Sequence, residues 1–122
     1  MTQDRPSAPE LVAAVREFLE RDVMAATEGR VQFHTRVAIN ALGMIERELL
    51  LGDEFTAAER ARASELLGHD GDPRSLEREV AARIREGSLD ERMDVVRAHV
   101  RQTVREKLLV ANPGYLGEQP GA

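Results

Sequence analysis

The amino-acid sequence predicts an all-α fold, a compact bundle of about five helices. Apolar residues recur every three or four positions instead of alternating, and β-branched residues are scattered through stretches rich in Ala, Glu, Arg and Leu. Helix start and stop signals divide the chain into five segments. A length of 122 residues with 42% hydrophobic residues suits one folded domain. We expect a single domain over 1–122, ordered from about residue 5 to 116.

Each predicted helix has its own start and stop signals. Capping boxes, in which a hydroxyl and a carboxylate satisfy backbone N–H groups, open three helices: Ser7 with Glu10, Thr56 with Glu59, and Ser88 with Glu91. Asp72-Pro73 opens another, because proline at the first helical position lacks only an N–H that would be unpaired anyway. Glycines and the final Asn112-Pro113-Gly114 end the helices. The predicted helices run to about residue 26, near 31–51 up to Gly52, from Thr56 to Gly68, from Pro73 to Gly87, and from Ser88 to about Ala111.

The regularity of the apolar pattern differs between these helices. Predicted helices 1, 2 and 5 have long apolar stripes at helical spacing, so they are expected to form the core. Predicted helices 3 and 4 are short and rich in small or charged residues, which favours a hairpin on the side of the bundle. Short connections favour antiparallel packing of neighbouring helices.

The composition excludes several classes of function. The net charge of −5 argues against general nucleic-acid affinity, which depends on Lys and Arg neutralising phosphates. The chain has no cysteine, and therefore no disulfide, thiolate nucleophile or zinc–thiolate site. No metal-binding or Gly-rich phosphate-binding motif occurs, so we expect no metal and no cofactor. No apolar run approaches the ~20 residues of a membrane helix, and the N-terminus lacks the apolar core of a signal peptide. We therefore expect a cytoplasmic protein.

Predicted helix 2 is unusual because both of its sides have residues suited to contact with other helices or other molecules. One half is apolar and comprises Met44, Val37, Ala41, Ile45, Ala38, Leu49 and Leu42. On the other side, four residues at spacings of four, three and four form a stripe along the helix: Arg36, Asn40, Gly43 and Arg47. Two aliphatic residues, Ile39 and Leu50, lie beside this stripe. A glycine within a helix costs about 1 kcal/mol relative to alanine, which the close approach of another molecule would offset. We interpret these six residues as a candidate partner-binding surface. The alternative is that predicted helices 3 and 4 cover this side within the same chain.

Two polar residues lie among apolar ones near the first interhelical turn. His34 falls in the apolar half of predicted helix 2, and Asp22 falls between apolar residues of predicted helix 1. Because both flank the same turn, an Asp22–His34 hydrogen bond is plausible. Such a pair is also the best candidate for acid–base catalysis, although no nucleophile accompanies it. A structural polar pair is the favoured interpretation, and no residue is predicted to be catalytic.

Predicted helix 5 has three arginines, Arg97, Arg101 and Arg105, at successive four-residue spacings. Like charges at this spacing repel each other, so nearby acids or an anionic partner should compensate. A solvated and partly paired face is the first interpretation. The alternative is an anion-binding surface, since arginine suits recognition of carboxylates and phosphates.

Several stretches together resemble a small, largely uncharacterised bacterial family of helical proteins: Asp4-Arg5-Pro6, the run from Phe33 to Leu42, Glu46-Arg47-Glu48-Leu49, Lys107-Leu108, and the run from Ala111 to Leu116. Members of that family are encoded beside kinases of the aminoglycoside-phosphotransferase fold and acyl-CoA dehydrogenase-like proteins. The resemblance implies an accessory subunit for a kinase that acts on hydroxyacyl-CoA compounds. The alternatives are a small enzyme that uses Asp22 and His34, and a homodimeric structural module.

Overall fold

Four α-helices make up residues 4–117, the part of the chain that the computed structural model describes. They are α1 (an α-helical segment Ala8–Phe18, a π-helical turn Leu19–Val23 and a last turn Met24–Ala26), α2 (Gly29–Leu67), α3 (Pro73–Glu86) and α4 (Met93–Ala111). Short 3-10 turns occupy Asp90–Arg92 and Pro113–Leu116. No β-strand occurs within these described residues. The all-α prediction is confirmed, with four helices in place of five. The ends of the predicted domain, 1–3 and 118–122, lie outside the described residues.

The first helix begins as predicted. The Ser7 hydroxyl accepts a hydrogen bond from the Glu10 backbone N–H, and the Glu10 carboxylate accepts one from the Ser7 N–H. The π-helical turn Leu19–Val23 adds one residue to a turn of α1, so the side chains after it are rotated relative to a regular α-helix.

The predicted stop at Gly52 is wrong, because α2 is a single helix of 39 residues. Gly52 is buried within it, and a Cβ atom at this position would lie 2.6 Å from Oε1 of Glu48. The capping box of Thr56 and Glu59 therefore does not open a helix. A glycine inside a helix costs only about 1 kcal/mol, which tertiary packing readily offsets.

The ends of α2 and α3 follow the local signals. Gly68 and Gly87 have φ values of +84° and +83°, a left-handed conformation that glycine adopts without strain. The Asp72 carboxylate accepts a hydrogen bond from the Ser75 N–H, with Pro73 as the first residue of α3. The capping box predicted for Ser88 does not form, because α4 begins only at Met93.

The predicted location of the core is wrong. α1 packs antiparallel to the first half of α2, whereas α3 and α4 pack against the second half. Among residues 4–117, seven hydrophobic side chains are buried, all of them beyond residue 60: Ala63, Leu66, Leu67, Leu76, Val80, Leu89 and Val96. The segments predicted to form a flanking hairpin therefore supply most of the core.

The apolar stripes of predicted helices 1 and 2 remain largely exposed. No residue of Ala8–Phe18 is buried. The apolar half of predicted helix 2 is exposed at Val37, Met44, Ile45 and Leu49. These side chains are therefore available for contact with another molecule.

A buried polar network joins α2, α3 and α4. Arg62 of α2 donates hydrogen bonds to Oε1 of Glu106 at 2.9 Å, to the Thr103 hydroxyl at 3.1 Å and to Nδ1 of His99 at 3.4 Å. Because Nδ1 of His99 accepts from Arg62, its Nε2 donates to Glu77, at 2.7 Å. The inward face of α4 is thus partly polar, whereas the apolar side chains of Val100 and Val104 on the same helix are exposed.

An exposed ion pair at the end of α2 predicts a pH effect on stability. The hydrogen bond to Glu79 raises the pKa of His69 above its usual 6.5, with Arg83 nearby opposing this shift. The protonated imidazole is favoured in the folded state, so the stabilisation is complete below pH about 6.5. It is lost as the pH rises through the folded-state pKa. Because solvent screens this exposed pair, His69→Gln is expected to lower the melting temperature only slightly at pH 6 and by even less at pH 8.5. Equal effects at both pH values would contradict this assignment.

Candidate functional site

An open cleft lies between α1, the middle of α2 and the C-terminal end of α4. Its volume is about 750 Å³. Five of the six residues predicted to bind a partner line this cleft: Ile39, Asn40, Gly43, Arg47 and Leu50. Arg36 is exposed on α2 but does not line it. The stripe is therefore bordered by α1 and the end of α4, and α3 does not cover it.

Arg47 and Gly43 form the base of the cleft. The Arg47 Nε donates a hydrogen bond of 2.7 Å to the Val110 carbonyl, in the last turn of α4. The guanidinium thus meets the negative end of the α4 dipole. A Cβ at Gly43 would lie 3.3 Å from Nη1 of Arg47, so the glycine leaves room for this side chain. Within residues 4–117, no hydrogen-bond acceptor contacts the two terminal nitrogens of Arg47.

Arg16 fixes the wall of the cleft that α1 supplies. Its Nε donates to Glu46 of α2 and its Nη1 donates to Glu20 of α1, both at 3.1 Å. The hydrogen bond with Glu46 is the main reason that the pKa of Arg16 is raised. Both carboxylates of the cleft are therefore already engaged by one arginine.

The other residues that line the cleft are better suited to binding another molecule than to catalysing a reaction. The side-chain amides of Asn40 and Asn112 make no hydrogen bond within the described part of the chain. Ile39, Leu50 and Pro113 add apolar surface beside them. None of the lining residues is Ser, Thr, Cys, His, Lys or Tyr, the usual nucleophiles and proton carriers besides carboxylates.

The predicted Asp22–His34 pair does not form. Both side chains are exposed and no hydrogen bond joins them. The His34 ring instead makes an edge-to-face contact with Phe33, at 5.4 Å between ring centres. Asp22 lies in the π-helical turn Leu19–Val23, where positions calculated for a regular α-helix no longer hold. This finding removes the structural basis of the acid–base alternative.

The three arginines of α4, Arg97, Arg101 and Arg105, are exposed. Their role in anion binding stays a prediction. Within residues 4–117, no three His, Cys, Asp or Glu side chains are grouped so as to hold a metal ion. No helix in the same residues has the length and apolarity needed to cross a membrane.

Some residues of the site were missed from the sequence. The pairing of Arg16 with Glu20 follows the four-residue spacing of a helix and was accessible from the sequence. The hydrogen bond from Arg47 to Val110 was not, because the two residues are distant in the chain. The buried network around Arg62 likewise joins residues that no local pattern connects.

Residues 25–115 match the family model of a domain of unknown function, DUF6285. No curated protein and no solved structure matches the chain. The family match covers the cleft-forming part of α2, all of α3 and all of α4. Since it extends over well more than half of the sequence, the chain belongs to the DUF6285 family.

Proposed function

We propose that the protein is a non-catalytic subunit that binds an enzyme through the cleft between α1, α2 and α4. The partner we propose is a kinase of the aminoglycoside-phosphotransferase fold that acts on hydroxyacyl-CoA compounds. The sequence resemblance supports this choice of partner. The chemistry of the cleft supports the binding role.

The observation that supports the binding role best is the way in which the Arg47 side chain is held. Its Nε is anchored on the Val110 carbonyl, which orients the guanidinium while leaving both terminal nitrogens available. A planar guanidinium held in this way suits a carboxylate, which it can bind through two parallel hydrogen bonds. The neighbouring amides of Asn40 and Asn112 can bind backbone groups of the same segment. We therefore infer that the partner presents the carboxylate of an Asp, a Glu or a C-terminus next to apolar side chains.

The same lining argues against catalysis by this protein. The carboxylates of Glu20 and Glu46 are held by Arg16, and the remaining polar groups are arginine and asparagine side chains. None of them is a nucleophile with an adjacent base. ATP and magnesium chemistry would belong to the partner. By binding the active conformation of that kinase more tightly than the inactive one, the subunit would shift its population towards activity.

Gly43→Leu is expected to weaken the effect on the kinase at a given subunit concentration while preserving the fold. The leucine side chain would occupy the cleft and displace the Arg47 guanidinium, and loss of such a central contact weakens binding at least about tenfold. The measurement is the rate at which the kinase encoded beside this protein phosphorylates hydroxyacyl-CoA, as a function of the concentration of added wild-type or variant subunit. Circular dichroism should show unchanged helical content.

The matched control is Ala81→Leu, which adds the same side chain to an exposed position of α3. It should stimulate the kinase as the wild type does. A kinase that turns over equally well with and without the subunit would disprove the proposed function. Full stimulation by Gly43→Leu would instead disprove the role of the cleft.

A further inference from the structure

A second surface of the α1–α2 hairpin is apolar and uncovered. We call it the apolar face; it comprises Leu11, Val15 and Phe18 of α1 and Val31, Val37, Ile45 and Leu49 of α2. Each of these side chains is between 46% and 56% exposed. Within each helix their spacing is mostly three or four residues, or a multiple of four, so that they form stripes along the helix.

The apolar face and the cleft lie on opposite sides of the hairpin. Arg16 and Glu20 of α1 line the cleft. Leu19 of α1 lies instead beside Val31 and Ala38 of α2, around a shallow depression of about 420 Å³. The stripe of α1 that begins at Leu11 lies on the Leu19 side of that helix. A molecule bound at the apolar face would therefore leave the cleft open.

The hairpin lacks the second layer that a helical domain requires. Helices normally bury an apolar stripe against another element, yet no large hydrophobic side chain of either helix of the hairpin is buried before residue 60. The accessible surface of the chain is 8709 Å², about 2,000 Å² more than a compact monomer of this mass exposes. A standard interface removes about 800 Å² from each partner. The chain as a whole thus exposes enough surface for a stable dimer.

We propose that the apolar face binds the same face of a second copy of this chain, so that the two α1–α2 hairpins form a four-helix bundle. The seven residues of the face are all apolar, with Arg30 and His34 beside Val31 at the depression, and homodimer interfaces are more apolar than those of transient complexes. Ala38 and Ala41 lie between the larger side chains and allow close approach of the facing helices. In a dimer with a twofold axis, both copies contribute the same surface to the interface. A four-helix bundle is a stable arrangement in which such apolar stripes are buried.

The test is the mass of the purified full chain in solution, measured by sedimentation equilibrium at micromolar concentrations and above. We expect twice the 13.6 kDa of one chain. Val15→Glu and Ile45→Glu should each raise the dimer dissociation constant at least about a hundredfold, because each places two unpaired carboxylates in the interface. Leu50→Glu places the same charge on the cleft side and should leave the constant within about twofold.

A second measurement does not depend on how a glutamate affects folding. The chain has no cysteine, so Phe18→Cys or Leu50→Cys introduces a single thiol. A thiol-reactive reagent should modify Phe18→Cys more slowly at dimer-forming concentrations than in dilute solution, because the thiol then lies in the interface, and should modify Leu50→Cys equally fast at both. A monomer at all concentrations, or a dimer lost on Leu50→Glu but not on Val15→Glu, would overturn the proposal. These experiments contain no kinase, so their outcome is independent of the proposed function.

Discussion

Replacing Arg62 with alanine is expected to lower the free energy of unfolding by about 3 kcal/mol. The Arg62 guanidinium contacts both Glu106, whose side chain is 8% exposed, and His99. Without it, a buried carboxylate would remain without its counter-charge, and this penalty dominates the cost of breaking buried ion pairs. Urea denaturation followed by circular dichroism at a fixed protein concentration measures the change.

Arg60→Ala provides the matched control for this prediction. Arg60 lies two residues earlier on α2 and pairs with Asp70, but both side chains are largely exposed. Exposed ion pairs contribute little to stability because solvent screens them, so this variant should unfold close to the wild type. The double substitution Arg62→Met with Glu106→Leu should restore much of the stability, because apolar side chains can replace a buried pair. Equal loss in Arg60→Ala and Arg62→Ala would refute the importance of burial here.

Leu76→Ala is expected to destabilise the protein by about 3 kcal/mol. Leu76 of α3 is 1% exposed and is the largest fully buried side chain of the described residues. Truncation removes the transfer free energy of the missing atoms and leaves a cavity beneath α2 and α4. The midpoint of urea unfolding should fall while the slope of the transition stays constant.

The corresponding control is Leu50→Ala, which truncates the same kind of side chain at an exposed position. Leu50 is 62% exposed, so its truncation should cost less than about 1 kcal/mol. Comparable losses at both positions would contradict the packing described here.

Local signals in the sequence predicted some of the helix ends correctly. The capping box of Ser7 and Glu10, the left-handed Gly68 and the Asp72 cap depend only on residues within about one helical turn, and each of them forms. The predicted helix end at Gly52 is wrong, because a glycine ends a helix only where tertiary packing favours a turn over further helix. There, α2 continues to pack against its neighbours on both sides of the glycine.

The location of the core could not be predicted from the periodic spacing of apolar residues. A stripe such as Leu11, Val15 and Phe18 indicates that a surface favours burial, but not which molecule buries it. Within this chain these side chains remain exposed, whereas small residues such as Ala63 pack tightly. The cleft was accessible only in part, because the α2 stripe follows from helical spacing. Arg16 and the Val110 carbonyl join it through the tertiary fold.

The uninterrupted course of α2 determines the dimensions of the molecule. At 1.5 Å per residue, its 39 residues make a rod about 58 Å long. The end nearest Leu67 is embedded in the core, while the opposite end supports α1. Because no loop interrupts α2, the length of this one helix sets the distance between the core and the end that supports α1.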